Sequence, residues 1–337
     1  MKAIAYYAAL PINDPKSLQD IELPQPIAGP RDLVVEVKAI SVNPVDTKVR
    51  QNVSPQNGEA KVLGWDVAGV VKSVGKDVTL FKAGDKVFYA GSLVRPGANS
   101  ELHAVDERIV GHMPKSLGFA EAAALPLTAI TAWELLFERL QVREGKTNEG
   151  QSLLIVGAAG GVGSILTQLA SQLTALNVIG TASRPETQAW ARDLGAHLVI
   201  DHNQPLSEEL KHAGVPQVTH VASLTQTDQH LDQLVEALVP QGKLALIDDP
   251  KALDVSKLKR KSLSLHWEFM YTRSMFETTD MIEQHNLLNR VAELIDAGTL
   301  KTTLGEHFGV INAQNLRRAH ELLESGKAKG KIVLEGF

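Results

Sequence analysis

The chain has 337 residues, 44% of them hydrophobic and 22% charged, the composition of an ordinary globular protein with room for two domains. A formal net charge of −5 speaks against nucleic acid or an anionic membrane surface as a partner, and no uninterrupted apolar run approaches the ~20 residues of a membrane span. The absence of cysteine excludes disulfides, thiolate zinc sites and cysteine nucleophiles.

The N-terminal stretch MKAIAYYAAL meets Pro11 at once and lacks a basic region and cleavage site. It predicts a first strand rather than a signal peptide, with the cytoplasm as the default location. The first ~120 residues then read as β-rich. DLVVEVKAISV (32–42), DVAGVVKSVG (66–75) and AGDKVFYAG (83–91) have strand-like spacing, and proline and glycine punctuate them. Gly69, inside the second of these, predicts a bulge or a close approach of two backbones. Such short strands predict a partly open barrel or sandwich.

Character changes near residue 119. FAEAAALPLTAITAWELLFERL (119–140) has helical spacing broken at Pro126, and REGKTNEGQ (143–151) is a charged loop. Strand and helix then alternate. Strands fit 152–156, 176–181, 197–200, 218–222 and 243–247, and helices fit 162–173, 186–194, 206–213 and 228–239. This order predicts an α/β domain, a doubly wound parallel sheet covered on both faces. Residues 273–298 read as one long helix stopped by Gly298, and the end, KAKGKIVLEGF, as a last strand.

The glycines lie at one joint. SLLIV is an apolar strand, VGSILTQLASQL an amphipathic helix, and between them runs Gly157-Ala-Ala-Gly160-Gly161-Val162-Gly163. A Rossmann unit turns its first strand into its first helix in this way. Glycine lets the backbone approach a pyrophosphate, and the helix N-terminus offers N–H groups and a positive dipole end. No Lys-Ser/Thr pair follows, which excludes a P-loop. An NAD site places an acid at the end of the second strand to hold the ribose hydroxyls. Here the text is Thr-Ala-Ser183-Arg184, whose guanidinium and hydroxyl suit a 2′-phosphate, and His202 at the end of the third strand could reach the same group. These residues predict NADPH as the cofactor.

SVNPVDTKVR (41–50), LGWDVAGVV (63–71), GDKVF (84–88), LPLTAITAWELL (125–136) and the glycine run together resemble the medium-chain dehydrogenase/reductases, in order along essentially the whole chain. The likeness is to the branch called quinone oxidoreductase-like or zinc-type alcohol dehydrogenase-like. It implies a GroES-like catalytic domain over 1–125 and a Rossmann NADPH-binding domain over 126–265. Residues 266–337 would complete the Rossmann sheet edge and return to the catalytic domain. It also implies an active-site cleft between the domains and a homodimer. Zinc members hold their catalytic metal with a Cys, a His of a Gly-His-Glu motif and a third Cys or acid, at positions that match Asn43 and Trp65-Asp66 here. The soft thiolate and imidazole ligands are both missing, and the two separated carboxylates that remain, Asp46 and Asp66, would make a poor tetrahedral site. HELLE (320–324) misses the metalloprotease pattern at its fifth residue.

Without zinc, alcohol oxidation lacks its activating group, and hydride transfer to a conjugated carbonyl or quinone is the easier reaction. The resemblance then places Asn43 and Thr131 on the nicotinamide side, with Leu246 and Ile247 contacting the ring through backbone. Asp46 could orient Lys48 or Arg50, and Lys48 could supply the proton. Trp267, Phe269, Tyr271 or Phe276 could roof a pocket for a flat small-molecule acceptor. Two alternatives stay open: a non-catalytic NADPH-binding regulatory or structural protein, and a zinc-dependent alcohol dehydrogenase.

Overall fold

A computed structural model describes residues 1–337, which divide into two units: Met1–Ile130 with Tyr271–Phe337, and Thr131–Met270. The second unit is a six-stranded sheet in the order Leu198–Ile200, Asn177–Thr181, Ser152–Val156, Val218–Ser223, Leu238–Leu246, Ser264–Trp267. Every neighbouring pair is parallel. Numbered by sequence the order is third, second, first, fourth, fifth, sixth, that of a doubly wound dinucleotide-binding fold. The helices Gly161–Leu173, Pro185–Asp193, Leu206–His212 and Thr227–Ala237 connect the first five strands.

Leu154, Val156, Ile179, Val221 and Leu244 of the sheet pack with Leu210, Leu231 and Leu234 of the helices, all buried. Parallel strands are covered on both faces, so they read as continuous apolar runs. The sixth strand, Ser264–Trp267, overlaps the aromatic-rich segment that the sequence suggests as a pocket roof. It forms the sheet edge, pairing Leu265 with Leu244, and only its residues His266 and Trp267 belong to that aromatic-rich segment.

In the first unit, the long strand Asp32–Val42 pairs antiparallel with Val67–Val74, Leu102–Asp106 and Lys331–Glu335 within a seven-stranded sheet. Gly69 is where two backbones close up. A Cβ there would lie 2.3 Å from the Glu36 carbonyl, and the register shifts between Val37 and Ala39 opposite it. The register also fixes the site. Ile332 is level with Val42, and Val67 with Ile40. Lys331, Asn43 and Asp66 therefore stand together at the ends of three adjacent strands.

One expectation is corrected. Residues 273–298 form two helices, Thr272–Phe276 and Glu283–Asp296. Glu277 takes the left-handed conformation (φ 45°), and Arg273 donates to Asp280 at 3.0–3.1 Å across the break. Thr278, Thr279 and Asp280 are poor helix formers, and their local bonds override the apolar spacing. Helices Phe119–Ala123 and Pro126–Trp133 are separated at the break that Pro126 imposes, within Phe119–Arg139. This helical run of 21 residues is long and apolar enough to cross a membrane, yet 78% of its apolar window is buried inside the protein, as in a core helix.

Candidate active site and dinucleotide corner

In the second unit, strand Ser152–Val156 leads into a tight turn. Gly157 has φ 85°, which a side chain would strain. Its N–H donates to Thr181 Oγ1 at 3.0 Å, and the Ala158 N–H to the Thr181 carbonyl at 3.1 Å. The turn is thus tied to the end of the second strand. Helix Gly161–Leu173 begins at Gly160, which has no side chain to cap the first-turn amides.

The glycines have different reasons to be there. A Cβ on Gly163 would stand 2.3 Å from the Gly157 carbonyl and 2.7 Å from Ala158, so close helix–turn packing demands glycine. A Cβ on Gly160 would meet nothing nearer than the Gly157 carbonyl at 3.6 Å, an ordinary contact. Nothing inside the protein requires glycine at 160, and the open space beside it is a cradle that a Cβ would fill. With uncapped N–H groups of Gly161, Val162 and Gly163 alongside, this corner fits the pyrophosphate of a dinucleotide.

The other predicted cofactor residues cluster near it by chain topology. Ser183 and Arg184 follow strand Asn177–Thr181, and no acid stands at that strand end. Arg184 forms the N-cap of helix Pro185–Asp193, its side chain is 39% exposed, and its Nε lies 3.3 Å from Glu186. His202 Nδ1 meets Thr181 Oγ1 at 3.1 Å, so one threonine links the glycine turn to the third strand end. Leu246 is buried, its carbonyl accepts the Glu268 N–H at 3.0 Å, and Ile247 is half-buried. Thr131 is buried at the start of this unit.

Three residues beyond Thr131 stands a feature the sequence does not announce. Glu134, which opens a π-helical turn, and Glu268, at the end of the sixth strand, are both buried. Arg139 Nε donates to Glu268 Oε2 at 2.8 Å. Burial, and then the neighbouring Glu134, push Glu268 up to about 9. Two acids held this closely share one proton at neutral pH.

In the first unit, the strand ends form a buried polar knot. Asn43 closes strand Asp32–Val42 and caps helix Pro44–Asn52, with Pro44 preset at the first helical position. The Asn43 N–H donates to Asp46 Oδ2 at 2.6 Å, and the Gly64 N–H to Asp46 Oδ1 at 3.0 Å. Asn43 Nδ2 donates to Asp66 Oδ2 at 2.8 Å, and the Leu127 N–H to Asp66 Oδ1 at 2.8 Å. Lys331 Nζ completes the set. It donates to the Val42 carbonyl at 2.9 Å and to Asn43 Oδ1, and lies 3.0 Å from Asp66 Oδ2.

Burial pushes Asp66 upward, while Lys331 and the side chain of Asn43 pull it back. All its bonded neighbours are donors, which assigns the carboxylate form. Burial raises Asp46 to about 7 against the pull of the Asn43 N–H and Lys331. Tyr271 is also buried here, edge-on to Trp65 at 6.4 Å between ring centres.

The structure thus brings Asn43 and Asp46 together and leaves Lys48 exposed on the same helix. Asp46 bonds the Asn43 and Gly64 amides rather than a cation of its own helix. Arg50 turns away, donating to the Leu10 carbonyl and to Glu324. Sequence reasoning missed Lys331, which lies 288 residues from Asn43 in a terminal stretch that reads only as a last strand.

Residues 29–133 match the alcohol dehydrogenase GroES-like domain, and residues 194–334 the zinc-binding dehydrogenase family. A zinc-type alcohol dehydrogenase-like protein of Staphylococcus aureus (strain MSSA476) is 38% identical over 336 residues, 99% of each chain. The chain belongs to the medium-chain dehydrogenase/reductases. A member of the family from Rhizobium etli CFN 42, provisionally described as a zinc-dependent alcohol dehydrogenase, has a crystal structure with 55% identity and a TM-score of 0.96. The match covers 100% of this chain and 98% of that one. The structure of Escherichia coli quinone oxidoreductase complexed with NADPH matches at 26% identity and TM-score 0.84, over 99% of this chain and 100% of that one.

Membership makes the protein an oxidoreductase that binds a nicotinamide cofactor. Zinc is another matter. The residues matched to its ligands are Asn43 and Trp65-Asp66, and Asn43 and Asp66 are bonded to a lysine ammonium. No three His, Asp or Glu side chains converge on a point that could hold a metal ion. The donor set does not fit zinc.

Proposed function

We propose that this medium-chain dehydrogenase/reductase uses NADPH, without zinc, to pass hydride to a quinone or an α,β-unsaturated carbonyl. The observation that carries the proposal is Lys331. Its ammonium is bonded to Asn43, matched to the Cys ligand, and to Asp66, next to Trp65 at the His-ligand position, which leaves no soft donor there to hold a Lewis acid that would activate an alcohol. A conjugated acceptor needs less: its developing negative charge spreads onto an oxygen that hydrogen bonds can stabilise.

NADPH supplies the hydride from its nicotinamide. The chain's part is to hold the cofactor and manage the proton. Gly160, Gly161, Val162 and Gly163 present backbone to the pyrophosphate, and Ser183, Arg184 and His202 serve the 2′-phosphate end. The NADPH-bound quinone oxidoreductase among the similar structures supports this choice of cofactor. Lys48, exposed on its helix, is the proposed proton source. Asn43 and Asp46 act as positioning residues, because their polar atoms are bonded within the knot.

The protein is also proposed to be a homodimer. Strand Ser264–Trp267 is an open sheet edge, and Trp267 and Phe269 beside it are 52% and 48% exposed. Unpaired strand edges with apolar neighbours favour pairing with a second copy.

A screen of quinones and enones that follows NADPH absorbance tests the catalytic proposal. Turnover faster with NADPH than with NADH is expected, and Lys48→Met should lower kcat while leaving NADPH affinity unchanged. Tight NADPH binding with no turnover across the panel would favour a non-catalytic binding protein instead.

A further inference from the structure

Two carboxylates, Asp46 and Asp66, are wholly buried in the knot, and Lys331 is the cation bonded within it, itself only 3% exposed. Its Nζ has three hydrogens and three oxygens to receive them: the Val42 carbonyl, the Asn43 amide oxygen and the Asp66 carboxylate. A backbone carbonyl, an amide carbonyl and a carboxylate are the donor types that a hard divalent cation collects. They converge on one point, and the ammonium nitrogen occupies it. Three strand ends fix that point through backbone pairing, so the oxygens stay together whatever fills the centre.

We propose that Lys331 is a built-in cation, neutralising the buried oxygens of Asn43, Asp46 and Asp66 and keeping divalent metal out, so that its removal turns the knot into a metal site. The inference deepens the zinc-independent reading above and rests on it. Lys331 acts as a positioning residue as well. It fixes the Asn43 amide with oxygen toward Nζ and nitrogen toward Asp66, at the cap of the helix that carries Asp46 and Lys48.

The test is the melting temperature of the cofactor-free protein, in chelator and with millimolar manganese or calcium, hard cations that take oxygen donors. The wild type should not move with either ion. Lys331→Ala should melt lower in chelator and recover several degrees with metal, while the double variant Lys331→Ala, Asp66→Asn should not respond. A Lys331→Ala protein that gains nothing from either ion, or a double variant that gains as much, would overturn the proposal. Should Lys331→Ala not fold, Lys331→Met fills the volume without the charge. The pair Lys331→Met, Asp66→Asn should then be more stable than Lys331→Met alone, and equal or lower stability overturns the proposal. Chelator-sensitive turnover in the wild type would sink the proposed function. A metal-blind Lys331→Ala beside chelator-insensitive turnover sinks only this inference.

Discussion

Glu268 is a carboxyl group with Arg139 on one oxygen and no N–H donor on the other. Its value in the folded chain is raised to about 9 from an ordinary 4.5. The folded state therefore keeps a proton that the unfolded chain has lost, and stability falls as pH rises from about 4.5 through about 9. Glu268→Gln mimics the protonated acid and removes this contribution. Urea unfolding at pH 6 and pH 9 should show a smaller loss for the variant than for the wild type, and equal losses would contradict the assigned proton. His320 has the opposite sign. It is wholly buried with neither ring nitrogen bonded, and burial and then Arg50 push it down to about 3. Below its ordinary value of 6.5 the unfolded chain takes up a proton that the folded chain refuses, so stability is lost as pH falls. His320→Leu removes two buried unbonded nitrogens and should stabilise by about 1 kcal/mol at pH 7 and by more at pH 5. Arg184→Glu should weaken NADPH roughly 10- to 100-fold, the size of a charged hydrogen bond of about 1.5–3 kcal/mol, with less effect on NADH. An unchanged ratio of the two affinities would remove Arg184 from the site. Arg184 could be nominated from the sequence because it follows a strand end of known role. Glu268 and His320 were not, since burial decides their chemistry and the sequence does not print burial.

At the scale of elements, the strand–turn–helix Ser152–Leu173 carries two glycines with separable duties. Gly163→Ala forces a Cβ against the Gly157 carbonyl and should cost about 1–3 kcal/mol of stability by overpacking. Gly160→Ala meets only ordinary contact and should leave the melting temperature within error of the wild type, yet it should weaken NADPH binding. Calorimetry and cofactor titration on the two variants check this. A Gly160→Ala protein that binds NADPH normally would show that the cradle is not used. This element was readable from the sequence because its signals are local: an apolar run, glycines at fixed spacing, an amphipathic helix. The break at Glu277 was not. A left-handed residue and an Arg273–Asp280 ion pair interrupt a pattern whose apolar spacing runs on unbroken. The sheet edge was expected only through the family resemblance, and its strand was not readable from pattern for a related reason: four residues, Ser264–Trp267, leave little periodicity to read.

At the scale of the molecule, the parallel order of the second unit was legible from alternation alone, and the β-rich character of the first from its turns. The polar knot was not, because strands from both ends of the chain meet there, with Lys331 paired to residues 288 and 289 positions away. Motif spacing records neighbours in sequence, and here the deciding neighbour is a neighbour only in the sheet. The open edge beside Trp267 makes a further prediction at this scale. Trp267→Glu should shift the protein from dimer to monomer by light scattering, and an unchanged mass would place the interface elsewhere. The account as a whole turns on chemistry without a metal. Its most direct test is NADPH oxidation by a quinone, measured on protein dialysed against chelator and assayed for zinc by atomic emission. The account predicts full turnover at far less than one zinc per chain. Activity that disappears with the chelator and returns with added zinc would contradict it.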